Sequence, residues 1–182
     1  MGGGERQGYL RNVKVTPGLL RRGFNVWPPF LAAGIRVERI ADDYREVEVA
    51  MRLGLLNRNY FGTHFGGSLY AMTDPFFALM VLHALGRGYV VWDKAGSIRY
   101  RKPGRGTVRA RFRLPRDAVT LARRATRDGA AHEPTFRVDI VDAGGDVVAE
   151  VQKTLHIRRE AQPAAHARAA RTAAPSRRRR RA

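Results

Sequence analysis

Residues 66–85, reading Gly66-Gly67-Ser68-Leu69-Tyr70-Ala71-Met72-Thr73-Asp74-Pro75 and on through Phe76 and Phe77 to Leu85, form the longest apolar run in the chain and carry almost no polar face. A helix that is apolar on all sides has to be covered by other elements. The run therefore predicts a core helix around which the remaining chain is arranged. Two glycines at its start permit close approach to its backbone. A single carboxylate, Asp74, lies inside it, and helical spacing puts Gly67, Ala71, Asp74 and Ala78 on one stripe. Three of those side chains are small, so the acid faces a cleft or a close neighbour. The run is too interrupted for a bilayer, which asks for about 20 apolar residues without breaks, and no membrane span is expected. Pro75 removes an internal hydrogen bond and turns the preceding residue from helical angles. Either Asp74 caps a second helix opening at Pro75, or one kinked helix continues and the Ala71 carbonyl needs another donor.

The flanking sequence supplies the cover. Residues 35–40 and 45–53 alternate apolar and polar about the turn signal Ala41-Asp42-Asp43, as an antiparallel hairpin with one wet face does. Residues 89–101 and 106–114 read as two more strands, 115–127 as a helix closed by Gly129, and 135–141 with 146–157 as a hairpin about Asp142-Ala143-Gly144-Gly145. Upstream, residues 9–22 suggest a short amphipathic helix broken at Pro17-Gly18, and residues 30–33 another ended by Gly34. Strands gathered about one apolar helix make the fold class α+β.

With 182 residues the chain fits one domain with appendages. Its formal net charge is +18, of which residues 158–182 contribute nine arginines against Glu160. That tail is rich in Ala and Arg and cannot build a core, so disorder is expected there. Its run Arg177–Arg181 suits nonspecific contact with nucleic acid or another acidic surface. The basic remainder suits an anionic, phosphate-bearing ligand. There is no cysteine, which excludes disulfides and thiol nucleophiles and fits a cytoplasmic protein. His132, His156 and His166 lack metal-ligand spacing, and no metal site is expected. No phosphate loop, dinucleotide fingerprint or nucleophile elbow is present. His83 reads as a core-facing helix residue, and Asp93-Lys94 beside Trp92 as a strand-end ion pair.

The spacing of Asn59, Gly62-Thr63, Gly66-Gly67 and Asp74 resembles the hot-dog fold thioesterases of the PaaI-like group. So does Ile98-Arg99-Tyr100-Arg101-Lys102-Pro103 as the strand end after the helix. Trp27-Pro28-Pro29, Asn57-Arg58-Asn59, Thr63-His64-Phe65-Gly66-Gly67-Ser68, Thr73-Asp74-Pro75 and Val91-Trp92-Asp93-Lys94 together look like a bacterial hot-dog family of unknown function. The resemblance covers residues 24–157, leaving 1–23 as an N-terminal extension and 158–182 as the basic tail.

This resemblance implies a sheet of five or six antiparallel strands wrapped around one long helix. It also implies homodimers or dimers of dimers, with sites at the dimer interface, and hydrolysis of an acyl-CoA thioester without a cofactor. The site residues it implies are Asp74 to position or deprotonate water, and the amides of Gly66, Gly67 and Ser68 as an oxyanion hole at a helix start. Asn59 would orient the water or the carbonyl, and His64 would bond the carbonyl or shape the loop. Phe61, Phe65 and Phe77 would line the acyl group. Arg99, Arg101, Lys102 and Arg105 would hold phosphates. Phe65 stands where the PaaI-like pattern has His, which favours a second reading: a hot-dog protein that binds acyl-CoA or another apolar ligand without turnover. A third is a nucleic-acid-associated protein acting through its arginine tail.

Overall fold

The computed structural model describes residues 15–160. Pro17 opens α1 (Pro17–Val26), where Thr16 Oγ1 accepts from the Leu19 amide at 3.3 Å. Proline suits a first helical turn because its missing N–H has no partner to lose there. Pro17 therefore starts a helix instead of breaking one. Residues 9–14 of the expected helix lie outside the described residues, and α1 crosses position 23, where the extension was expected to end. α2 (Pro28–Ala33) follows and ends at Gly34, with φ 68°. Phe24 stacks on Phe30 at 5.5 Å, and both rings meet Phe76, tying α1 and α2 to the core.

The sheet is antiparallel throughout. β1 (Ile35–Ile40) pairs with β2 (Glu46–Arg52), β2 with β4 (Thr107–Arg113), and β4 with β6 (Thr135–Val141). β6 then pairs with β7 (Val147–Arg159), which pairs with β3 (Tyr89–Tyr100). The order is β1-β2-β4-β6-β7-β3, with the two-residue β5 (Ala131–His132) added to β7. That makes seven strands where five or six were expected; two residues are too few to leave an alternation in the sequence. β7 runs two residues past 157, so Arg158 and Arg159 belong to the sheet, paired with Val90 and Tyr89, and not to the tail. Residues 161–182, including Arg177–Arg181, lie outside the described residues.

The apolar run is two helices, α3 (Gly66–Ala71) and α4 (Phe76–Leu85), joined by a turn over residues 72–75. By length and hydropathy Gly66–Leu85 would suffice to cross a membrane, yet Phe76, Phe77, Met80, Val81 and Leu85 are buried in this protein's own core. The core lies between these helices and the inward faces of the strands, with Val37, Val49, Met51, Val108, Phe112, Ile140, Leu155 and Ile157 fully buried. α5 (Arg116–Ala125) covers the end of α4. Arg123 there donates to the carbonyls of Ala84 and Leu85 at 2.8 and 3.1 Å, supplying acceptors at a helix C-terminus with a donor.

Candidate functional site

Pro75 shapes the site. Having no N–H, it cannot continue the helical ladder, and the chain closes a tight turn instead. The amides of Thr73 and Asp74 donate to the carbonyls of Tyr70 and Ala71 at 2.9 and 3.2 Å, and the ladder resumes with Leu79 N–H to Pro75 O. The Ala71 carbonyl thus finds its donor in Asp74. The expectation that the Asp74 side chain caps α4 is corrected: the cap position is Pro75, and no side chain bonds there. The Asp74 carboxylate turns instead to β7. Lys153 Nζ donates to its Oδ1 at 2.9 Å, while the Asp74 side chain stays 60% exposed.

Lys153 is the residue that sequence reasoning missed. Its side chain is 2% exposed and bridges Asp74 and Asp93 Oδ2, the latter at 3.2 Å. Its Nζ also sits 5.0 Å from the centre of the Tyr70 ring, so two carboxylates and an aromatic face surround the ammonium. Burial alone would depress the Lys153 pKa, but the Asp74 hydrogen bond and the charge of Asp93 outweigh it and hold the pKa above its ordinary value. Burial raises the Asp93 pKa despite Lys153, with the Asp74 charge adding to the effect. Gly96 lies directly opposite Lys153 in the β3–β7 ladder. A Cβ there would stand 1.9 Å from the Tyr70 hydroxyl and 3.2 Å from Lys153 Cδ. The signal for Lys153 was its parity: in β7 it shares the inward set with Val151, Leu155 and Ile157, where a charge needs a reason.

A bulge separates Asp93 from Lys94. Asp93 stays opposite buried Leu155, and the register resumes at Ala95 against Thr154. The two residues therefore part: Asp93 pairs with Lys153, and Lys94 pairs with Glu133 at 2.6 Å. The expected Asp93–Lys94 ion pair is corrected accordingly. Trp92 stacks on His156 at 4.0 Å.

The loop residues hold the loop. Asn59 Oδ1 accepts from the amides of Phe61 and Thr63, and its Nδ2 donates to Thr63 Oγ1 and the His64 carbonyl. His64 is 2% exposed, with Nε2 3.1 Å from Gly106 O and no partner for Nδ1 among the described residues. Burial lowers its pKa, partly offset by the Gly106 hydrogen bond. Asn59 is thus bound within its own loop, and His64 ties that loop to the β3–β4 connection at Gly106. Asn57, also unforeseen as a holding residue, ties Ala33, Arg52 and Gly54 together at 2.7 Å each.

At the start of α3, the Ser68 amide donates to Phe65 O at 3.0 Å, which removes it from an oxyanion hole. The amides of Gly66 and Gly67 have no acceptor among the described residues. Each glycine admits one of the protein's own rings: a Cβ on Gly66 would meet the Tyr100 hydroxyl at 2.8 Å, and one on Gly67 would meet Phe65 at 2.4 Å. Tyr100 also donates to Gly66 O.

Phe61 and Phe65 are exposed, as an acyl contact would require, together with Leu55, Leu56 and Tyr60. Phe77 is 1% exposed and packed on Phe112 and Phe136, which makes it core and corrects its acyl-lining role. His83, expected in the core, is exposed at the surface and stacks on Tyr44 at 3.9 Å. The four basic residues are not one rim. Arg99 lies opposite Glu150, on the other face of the sheet from Lys153. Arg101 makes a bidentate pair with Glu150, and Lys102 binds Asp142 and Asp146. Among the described residues, Arg105 reaches the Gly62 carbonyl alone, at 3.4 Å.

The sequence profile of DUF4442, a domain of unknown function, matches residues 18–157. No curated protein matches the sequence significantly. Among solved structures, the chain is similar to PA5026 of Pseudomonas aeruginosa, described as a probable thioesterase: 20% identity, 80% of this chain and 99% of that one covered, TM-score 0.71. It is similar to the thioesterase HI1161 of Haemophilus influenzae at 17% identity, over 85% and 99% of the two chains, with TM-score 0.60. It is also similar to a mutant of the phenylacetic acid degradation protein PaaI of Thermus thermophilus at 28% identity, over 71% and 98%, with TM-score 0.50. The sheet wrapped around a central helical segment is thus the hot-dog fold that these structures share.

Proposed function

The chain belongs to the DUF4442 family, and from that membership and the geometry at Asp74 we propose that it is a cytoplasmic acyl-CoA thioester hydrolase working as a dimer or a dimer of dimers. The observation that carries the reading is an exposed carboxylate, Asp74, held on one oxygen and open on the other. In this reading Oδ2 positions or deprotonates the water, and the Gly66 and Gly67 amides receive the developing oxyanion. Phe61 and Phe65 meet the acyl chain. Asn59 and His64 act by holding the loop, and Arg99 and Arg105 remain the candidates for phosphate. The dimer is supported by β3, a twelve-residue edge strand exposed over most of its length, and by the exposed apolar side chains of Leu55, Leu56, Tyr60, Phe61 and Phe65.

The test is a panel of acyl-CoA substrates of graded chain length, scored for free thiol, with sedimentation to read the assembly. Hydrolysis by the wild type and a loss of about 10²–10⁴-fold in kcat for Asp74→Asn, at unchanged melting temperature, support the proposal. Activity retained by Asp74→Asn places the base elsewhere. Phe65, with no polar atom where the PaaI-like pattern has His, favours the second reading of ligand binding without turnover. Calorimetric binding of a CoA ester with no thiol release would select it.

A further inference from the structure

On the reading that Asp74 handles the attacking water, we infer that Lys153 is the positioning residue for that carboxylate: its ammonium fixes Asp74 Oδ1 and presents Oδ2 to the water. Asp74 sits on a turn between two helices with its side chain 60% exposed. A carboxylate in that setting rotates freely about its terminal torsion unless something holds it. Among the described residues, the one side-chain bond it accepts comes from Lys153, at 2.9 Å to Oδ1. The holding group is itself held. Asp93 grips the ammonium from the neighbouring strand at 3.2 Å, the Tyr70 ring closes over it, and Gly96 leaves the space that Tyr70 and the lysine stem occupy.

Packing does not explain a lysine here. Its inward neighbours on β7 are Val151, Leu155 and Ile157, and a buried ion cluster is often no more stabilising than apolar residues of the same volume. The cluster brings one cation to two acids, of which Asp74 is the outer, its side chain 60% exposed against 25% for Asp93. Asp93 is the anchor: its Oδ1 is buried without a partner among the described residues, and its Oδ2 faces Lys153. The arrangement runs from half-buried anchor through buried lysine to exposed carboxylate, as a support for the outermost group does.

The chain has no cysteine, so Lys153→Cys in the full-length protein carries a single thiol. Alkylating it with 2-bromoethylamine in denaturant, then refolding, restores an ammonium at nearly the lysine length. The wild type, taken through the same steps, is the control. Expected are a fall of about 10²-fold in kcat for the unalkylated variant with KM within about threefold, and recovery of most of the loss on alkylation. A second variant, Lys153→Met with Asp93→Asn, removes the cation together with the anchor's charge. It should melt near the wild type and still lack the same factor in kcat. If the folded double variant retains wild-type kcat, or the alkylated protein refolds without recovering activity, the inference is overturned. Should the wild type hydrolyse no acyl-CoA, the hydrolase reading falls by itself. The link is then read from the ¹H–¹⁵N correlation of the Lys153 ammonium: a shift on Asp74→Asn supports the positioning, and an unmoved signal overturns it.

Discussion

Single side chains decide most of what the site can do, and for several the sequence leaves two roles open. His64 is the clearest case. Its imidazole is buried and its pKa lowered by burial, so the native protein keeps it neutral while the unfolded chain, near 6.5, takes up a proton. A lowered histidine contributes stability that is complete above the unfolded value and lost as pH falls from there toward the native value. Stability should therefore fall between pH 7.5 and pH 5.5, by at most about 1.4 kcal/mol per pH unit for this group, and the melting temperature with it. His64→Gln should flatten that slope even while lowering the plateau, and an unchanged slope would assign the dependence to other groups. Gly96 makes a second prediction. Gly96→Ala drives a Cβ into the Tyr70 hydroxyl, a kind of overpacking that costs about 1–3 kcal/mol. Denaturant melts of Gly96→Ala with and without Tyr70→Phe should show coupling, because the phenylalanine withdraws the atom in closest conflict. At this scale the sequence marked Asp74 and the loop before α3 but not their hydrogen-bond partners. Asn59 and His64 fit both a substrate role and a loop role, and only the positions of Thr63, Phe61 and Gly106 decide between them. Lys153 left a readable mark, a charge on the apolar parity of a strand.

The secondary elements were more legible, because each rests on a periodicity that burial enforces. Residues 35–40, 46–52, 107–113 and 135–141 alternate as half-buried strands do and form them. The apolar run fixed the position of the central helical segment, and Pro75 fixed its interruption. What local sequence could not rank was how the interruption would be satisfied, since Lys153, the partner that takes the carboxylate, lies 79 residues further along the chain. Phe77 illustrates the same limit. An apolar ring on a wholly apolar helix carries no sign of which neighbour it meets, and here it meets Phe112 and Phe136. Phe77→Ala should cost about 3–5 kcal/mol in urea unfolding. Phe77→Leu should leave the KM for every acyl chain length near the wild-type value. A chain-length-dependent change in KM with Leu at this position would return the ring to the acyl site.

At the scale of the molecule, the two sheet edges differ. At β1, Asn25 Oδ1 accepts from the Val37 amide at 2.7 Å and its Nδ2 donates to the Val37 carbonyl at 3.0 Å, so a helix side chain takes the place of a neighbouring strand there. At β3 no described element covers the edge, which leaves it for another strand. Charge is divided as unevenly. The sheet surface sets arginines against acids, with Arg39, Arg109 and Arg111 paired to Glu46, Glu38 and Glu48. Residues 161–182 hold seven arginines and no acid. The remaining +11 of the net charge is spread over residues 1–160, so affinity for a polyanion should follow the denser terminal segment more than the fold. A chain cut after Glu160 retains every described strand and helix, and its melting temperature and any thioester hydrolysis should match those of the full chain. Its retention on heparin or duplex DNA should fall sharply. For the full chain, neutralising about five phosphates through Arg177–Arg181 predicts a loss of about 10²–10³-fold in DNA affinity between 50 and 200 mM salt. Equal, salt-sensitive binding by the shortened chain would move the polyanion surface onto the sheet, where the paired arginines would then have to exchange Glu38, Glu46 and Glu48 for phosphate.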